Sequence, residues 1–530
     1  MRAPAACYTQ YFLRVATASM RVCRKVCSEG ARSASIRDCM KISRIRALSL
    51  LVMVSTVGML QKHLLLKTST VSYTQAMFES SWKCLDDCCG QTTSNNRSCV
   101  LRNVCAIDGK LLSVGRKGLD EPLPSWYGCD RTFQDDYHPV LTLEQAKHHV
   151  AAPVRYLRGT TLFIEYAHSN IVHTMLDMVY PVFVSMVKLG LNTGPEQPLR
   201  IVHRLPHDDN SQIWFLHLMG DLGVEHIEKM EPTCFETVIV GGGNQGLISW
   251  DSNYAMPGAR DGALKAYRNM IYSKAKVPFN ERGTLRANVT VLLLNQQKRP
   301  VQNIQSVPYH IEEVAPYAHV RSTNWESIVS SQALQVSEWR EHQIEYHREI
   351  ADFREKLNVL KTSHVIIAGI GTSHLFEFLL LDGSVSINYG TCQNYNKLGT
   401  FYDDYLIPGI DWVRGFYYVN KTSCDEAPDI KLPRRSTQCL IQLAIQTIRN
   451  PNTVNVSENL SPFGAAISAM ARRYPESFAS LRQPPCKVTD LAPVLLHNNT
   501  DEQCLRRILP EALSMLRSEF LTAGLQYPCL

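Results

Sequence analysis

Beyond residue 120 the chain alternates short apolar runs with stretches of helical period. TLFIEYA (161–167) predicts a strand, and a helix pattern follows it at once. LRIVHRL (199–205) predicts another strand. SQIWFLHLMGDLGV (211–224) predicts a helix ending near a glycine, and TVIVGGG (237–243) a strand running into a glycine turn. The pattern then restarts: VTVLLLNQQ (289–297) as a buried strand, 323–357 as helix, SHVIIAGIG (363–371) as a strand ending in glycines. HLFEFLLL (374–381) is expected as helix and SVSINYG (384–390) as strand. Such β–α alternation predicts parallel sheets covered by helices. Two successive sets predict two Rossmann-like domains, 121–288 and 289–430, facing each other across a cleft. Residues 431–530 read as a helical extension with Pro-rich joints.

One helix has an unusual polar face. HSNIVHTMLDMVYPV (168–182) places Asn170, His173 and Asp177 within a band of about 60° at 100° per residue. Ile171, Val172, Met175, Leu176, Val179, Val182 and Phe183 take the opposite side, and no Lys or Glu solvates the polar one. A buried Asn–His–Asp network that fixes helix packing and a catalytic group in a cleft both fit that face.

Ahead of the alternating region the composition changes. Residues 1–46 carry ten Lys or Arg against Glu29 and Asp38, so the net charge of +6 belongs to this tail, and no nucleic-acid-binding surface is implied. Ala47–Leu66 reaches about 20 residues if Lys62 and His63 snorkel, enough for a spanning helix. A cleaved signal peptide would have a far shorter charged region. The positive-inside bias predicts a single-pass type II protein: cytosolic tail 1–46, signal anchor 47–66, everything later lumenal. Residues 67–120, polar and Cys-dense, read as a stem. Four of the 17 cysteines precede residue 47 and thirteen follow the anchor without zinc-ligand spacing, which suits disulfides in an oxidising lumen. Thirteen is odd, so one thiol is free or pairs between chains. Sequons begin at Asn96, Asn288, Asn420, Asn455, Asn459 and Asn498, all on the lumenal side.

Two segments could receive an anionic ligand. VIIAGIGTSHLFEF (365–378) reads as strand, tight glycine turn and helix start, with Gly371, Thr372 and Ser373 offering backbone N–H groups to a phosphate. The spacing is neither a dinucleotide fingerprint nor a Walker loop, and a purely structural turn fits it equally. LLLNQQKRPVQN (292–303) puts Lys298, Arg299 and Asn303 beyond the carboxyl end of a buried strand, where open α/β sheets bind ligands. An ordinary basic loop has the same composition. VIVGGGNQG (238–246) lacks the acidic residue a dinucleotide site needs and reads as a turn beside the cleft. No metal-ligand motif and no G-x-S-x-G elbow occurs; in the His203–His207 pair Arg204 stands where a zincin helix has glutamate, and Pro206 interrupts the helix.

Taken together, these segments resemble glycosyltransferase family 61. The N-x-x-H…D…P pattern of that family is similar to Asn170, His173, Asp177 and Pro181. Its C-x-x-x-N-x-C element resembles Cys99 to Cys105, its hallmark glycine stretch resembles IAGIGTSHLFEFLLLDGSVSINYG, and YDDYLIPGIDWVRGFYYVN (402–420) resembles its closing segment. Ile370 stands where the hallmark has histidine, and Leu381-Asp382-Gly383 lacks its proline. The resemblance implies an α/β, GT-B-like fold and an inverting, metal-independent transfer from a UDP-sugar, with no cofactor. The sugar would be N-acetylglucosamine or xylose, and the acceptor a glycan or glycoprotein in the Golgi or endoplasmic reticulum membrane system. It further implies Asp177 as general base, His173 as second candidate and Asn170 as orienting group. Lys298, Arg299, Asn303 and the 371–373 turn would hold the donor. Ile370 keeps open an alternative, a membrane-anchored glycan-binding protein of the same fold without turnover.

Overall fold

The computed structural model describes residues 69–71, 80–84, 99–115, 140–142, 154–164, 171–204, 212–240, 262–280, 289–295, 303–324, 341–369, 374–391, 410, 412–420, 432–450 and scattered positions between 469 and 518. The chain divides into two compact units, Met1–Ser69 and Thr70–Leu530, and all of the described residues except Ser69 belong to the second. The expected tail and anchor lie outside the described residues. Among those described, no helix is long and apolar enough to cross a membrane.

The second unit is a mixed α/β structure built on two sheets. The first contains β1 (Ser69–Val71), β2 (Ser81–Cys84), β3 (Cys99–Ile107), β4 (Lys110–Gly115), β5 (Val140–Thr142), β6 (Val154–Ile164), β7 (Leu199–His203), β8 (Val224–His226) and β9 (Thr233–Val240). Its order is β5-β4-β3-β9-β6-β7-β8, with β1 on β6 and β2 on β3. The β9-β6-β7-β8 portion is parallel, whereas β3 runs antiparallel to β9 and β4. Residues 99–115, assigned by composition to a stem, thus belong to the sheet. Cys99, Leu101, Val104 and Ala106 alternate into a core with Phe163, Val202 and Phe235, and that burial outweighs the polar residues around them. The alternation slips at Asn103, which adopts φ +54° and whose side-chain oxygen accepts a hydrogen bond from Tyr156 Oη at 3.0 Å. Cys105 and Cys234 stand opposite each other on β3 and β9, 129 residues apart in sequence, and form a disulfide. Cys99 and Cys439 each also take part in a disulfide.

The second sheet is wholly parallel: β10 (Thr290–Asn295), β11 (His319–Asn324), β12 (Val365–Gly369), β13 (Ser384–Thr391) and β14 (Val413–Asn420), in the order β11-β10-β12-β13-β14. Its inner strands β10 and β12 are apolar on both faces, as a sheet with helices on both sides requires. The helices that serve the two sheets are α1 (residues 171–188), α2 (Ile213–Met219), α3 (Ala263–Lys274), α4 (Val307–Glu312), α5 (Glu341–Leu360) and α6 (Arg434–Arg449). Val291, Leu293, Ile367, Val385 and Ile387 of the second sheet pack against α4 and α6. On α6 the residues Leu440, Ile441, Ala444, Ile445 and Ile448 fall on one face.

On its other face, Leu292, Leu294, Ile366 and Ala368 join a core shared with the first sheet, to which α1, α2, α3 and α5 all contribute. Trp214 of α2 meets Phe353 of α5 with ring centroids 5.3 Å apart, and Tyr267 of α3 stacks on Phe378. Each such aromatic contributes about 1.5–3 kcal/mol by burial. Two expectations change. The 374–381 segment forms a 3₁₀ turn over His374–Leu379, because Phe376, Phe378 and Leu379 are all buried and a single-faced helix cannot direct all three inward. The segment expected as helix from 323 begins in strand, with Thr323 and Asn324 closing β11 beside Leu294 and Asn295.

Candidate functional site

In the second sheet the chain steps from β10 outward to β11, then returns to place β12 on the other side of β10. The crossovers therefore diverge between β10 and β12, and in open α/β sheets the carboxyl ends at such a point form the ligand crevice. Leu294 pairs with Ala368, so Asn295 and Gly369 end their strands side by side. The two segments expected to bind the donor leave the sheet from those two residues. Lys298, Arg299, Gly371, Thr372 and Ser373 themselves lie outside the described residues. Chain geometry keeps the Cα of residue 298 within about 11 Å of that of Asn295.

The described walls of this crevice are rigid. A side chain at Gly369 would meet the Tyr389 ring at 3.1 Å, closer than most side chains pack, so the ring would have to give way. The Tyr389 hydroxyl donates to the Leu294 carbonyl at 3.3 Å, bracing β10 against β13. Burial drives the phenol well above its ordinary pKa, and it stays a neutral donor. In the 3₁₀ turn that precedes β13, Glu377 is fully buried.

Asn303 was expected to touch the donor, and its amide is committed elsewhere. Its Nδ2 donates to the Leu432 carbonyl at 2.7 Å while its Oδ1 accepts from the Leu432 N–H at 2.9 Å. Both ends of the side chain are used to fasten the approach to α4 to the start of α6, a positioning role.

The first sheet has a switch point as well. The chain moves from β6 to β7 to β8, then returns to lay β9 along the opposite side of β6. Residues 165–170, including Asn170, follow β6 and lie outside the described residues, as do 241–246, which follow β9. The helix that opens at Ile171 supplies His173 and Asp177. It comprises an α turn (Ile171–His173), a π segment (Thr174–Val179) and a regular stretch (Tyr180–Lys188).

The uniform 100° repeat used to place His173 and Asp177 on one face does not hold across the π segment. The physical reason is Pro181. It lacks the N–H that the Asp177 carbonyl would use in an α-helix, and its ring crowds that carbonyl, so the preceding turn widens. The widened turn is held from outside by α3: Tyr267 Oη, fully buried, donates to the Met175 carbonyl at 2.9 Å. Thr174, Met175, Leu176, Met178, Val179 and Tyr180 are all buried around it. Single π turns recur at functional sites. Asp177 lies inside this one.

Sequence reasoning missed the device that ties α3 to the second sheet. Arg268 is fully buried, donates to the Leu380 carbonyl (2.8 Å) and to Asp382 (2.9 Å), and lies between the rings of Phe279 (4.8 Å) and Trp412 (4.7 Å). Lys265 also reaches Asp382, at 2.6 Å, and Tyr272 Oη donates to the Leu379 carbonyl at 2.8 Å. The Asp382-Gly383 turn, with Gly383 at φ +86°, is thereby fixed at the foot of the segment that begins with residues 371–373. Asp-Gly was the visible signal, whereas the arginine 114 residues earlier gave none. Among the described residues no group of three His, Cys, Asp or Glu side chains could hold a metal ion. The chain matches no protein-family model and no curated protein.

Proposed function

We propose that this protein is an inverting glycosyltransferase of GT-B architecture, resembling family 61, that moves N-acetylglucosamine or xylose from a UDP-sugar to a glycan or glycoprotein. The observation that carries the reading is the strand order of the second sheet. It makes the two segments assigned to the diphosphate, one with Lys298 and Arg299 and one with Gly371–Ser373, leave adjacent strands at the crevice where α/β sheets hold nucleotides. That common edge supports the diphosphate reading over two unrelated loops.

In the proposed reaction the Asp177 carboxylate takes the proton of the acceptor hydroxyl as its oxygen attacks the anomeric carbon. The bond from that carbon to the diphosphate breaks, and its electron pair leaves on UDP. Lys298, Arg299 and the N–H groups of 371–373 neutralise the departing charge, the work a metal ion does in other transferases. His173 and Asn170 orient the acceptor. The anchor at 47–66 places the reaction in the lumen of the Golgi or endoplasmic reticulum, a setting in keeping with the disulfides. A second reading, a glycan-binding protein without turnover, is favoured by Ile370 in place of the family's histidine.

The test is a transfer assay on full-length protein in detergent, with a panel of UDP-sugars and glycan acceptors. Transfer with one donor, lost in Asp177→Asn and in Lys298→Ala/Arg299→Ala, supports the enzyme. Binding of glycans with no UDP release from any donor supports the second reading. Transfer that survives both variants refutes the residue assignment.

A further inference from the structure

The first sheet carries a cluster of cations around the amino end of β7. β6 bends where Gly159, at φ +94°, interrupts its pairing with β9 between Leu157 and Thr160. The bend brings Arg155 to Glu225 of β8 as a two-pronged pair, 2.9 and 3.1 Å. Beside them Arg200, second residue of β7, is 4% exposed. Among the described residues its one hydrogen bond is from Nη1 to the Arg158 carbonyl, at 3.2 Å. Its Nε has no partner, nor does Arg155 Nε, nor the hydroxyl of Thr161, which is fully buried and stands opposite Arg200 in the β6–β7 register.

Arg200 Nε and the Thr161 hydroxyl, buried side by side across the β6–β7 register, both lack partners, which is uncommon in a folded protein and marks a missing polar group. The charges say which kind. Glu225 is committed to Arg155, leaving Arg200 as a buried cation whose nearest hydrogen-bond partner is a neutral carbonyl. Burial lowers its pKa, and the neighbouring Arg155 charge adds to the effect against Glu225. A buried guanidinium that shares its nearest carboxylate with another arginine is costly, and an oxyanion meets the forked donors with the best geometry.

We infer that Arg200, Arg155 and Thr161 form a second binding site, one for an oxyanion: a carboxylate, sulfate or phosphate group, free or carried on a ligand. It lies at the amino end of β7, where Arg200 stands beside Thr161 in the carboxyl half of β6, and it stands independently of the transferase reading.

The experiment titrates full-length protein with sodium sulfate, phosphate or acetate against chloride at matched ionic strength, following the unfolding temperature and binding heat. At least one oxyanion should give a saturable shift, and the three arms identify which. Arg200→Gln should weaken binding about tenfold or more, the loss of a charge-assisted pair. Thr161→Val, which removes a hydroxyl with no partner, should leave the anion-free protein as stable as before while weakening the anion several-fold. Glu225→Gln should strengthen binding by removing the competing carboxylate. Arg434→Gln, in an exposed pair with Glu313, should change nothing. If Arg200→Gln fails to fold, Thr161→Val and Arg155→Gln decide the matter. No saturable oxyanion effect, or one that all of these variants keep, overturns the site.

Discussion

Pro181→Ala separates the shape of the helix that carries Asp177 from its stability. Alanine restores the N–H at 181, and a helix interior favours alanine over proline by about 3 kcal/mol. Against this, the buried ring loses about two methylenes, worth about 1.6 kcal/mol, and the unfolded chain gains freedom worth about 0.4–1 kcal/mol. Net stability should stay within about 1 kcal/mol of wild type. The helix, no longer obliged to widen, should regain the α repeat through 174–179. Because a π turn holds about one residue more than an α turn, the backbone at position 177 would then turn about the helix axis. A displacement of about 1 Å at a reacting group costs on the order of a hundredfold in rate. Urea unfolding supplies the stability, and transfer kinetics at saturating donor supply kcat. The expected result is a kcat lowered about a hundredfold with the KM for the UDP-sugar near wild type. A variant with full kcat, or one whose activity falls only in step with its stability, would refute the claim that Pro181 sets the aim of Asp177.

Three other outcomes are set by the packing. Arg268→Met strips the Leu380 carbonyl of its donor and removes two ring contacts, while Lys265 still serves Asp382. Urea unfolding should register a loss of about 3 kcal/mol, and a loss under about 1 would sink the lock. Replacing Cys105 and Cys234 by alanine opens a cross-link between residues 129 apart, and should cost about 2–4 kcal/mol in chemical denaturation. Tyr267, Tyr272 and Tyr389 have phenols raised by burial, so the unfolded chain loses those protons from about pH 10 while the folded one keeps them. Their stabilisation is complete below that pH and declines as pH rises above it; phenolate absorbance of these three appearing before the fold is lost would contradict their burial.

The parts of the fold legible in the sequence were those governed by local pattern. VTVLLLN and VIIAG are continuous apolar runs, and they became the central strands β10 and β12 of the parallel sheet. IWFLHLM ended at Gly220 as its pattern required. What escaped was set by distant contacts. The polar composition around Cys99–Gly115 suggested a stem, whereas pairing with Thr233–Val240 draws those residues into a sheet. The 3₁₀ turn at His374–Leu379 is imposed from outside, by α3 and the Arg268 network. Of the site, Asp177 and Pro181 could be picked out by spacing. The π turn that relates them could not, since it depends on a tyrosine hydroxyl arriving from residue 267.

The candidate site therefore owes its geometry to a core that both sheets share. Halves of a chain joined by a linker alone move as independent bodies. Here α3 reaches both: Tyr267 Oη holds the turn containing Asp177, while Arg268 and Tyr272 of the same helix hold the turn that leads into β13. One rigid helix thus fixes the separation between the proposed base and the proposed diphosphate crevice. Transfer chemistry gains from that arrangement, because a base and a leaving group must be in register at the same instant, and a distance set by a packed helix need not be found by diffusion of two lobes. A binding protein gains from the same rigidity in another way, through a smaller ordering cost on association. Tyr267→Phe, which removes only the donor to the Met175 carbonyl, tests that tie: under the transferase reading it should lower transfer by more than its loss of stability explains, and a loss of transfer only in step with stability would refute the tie.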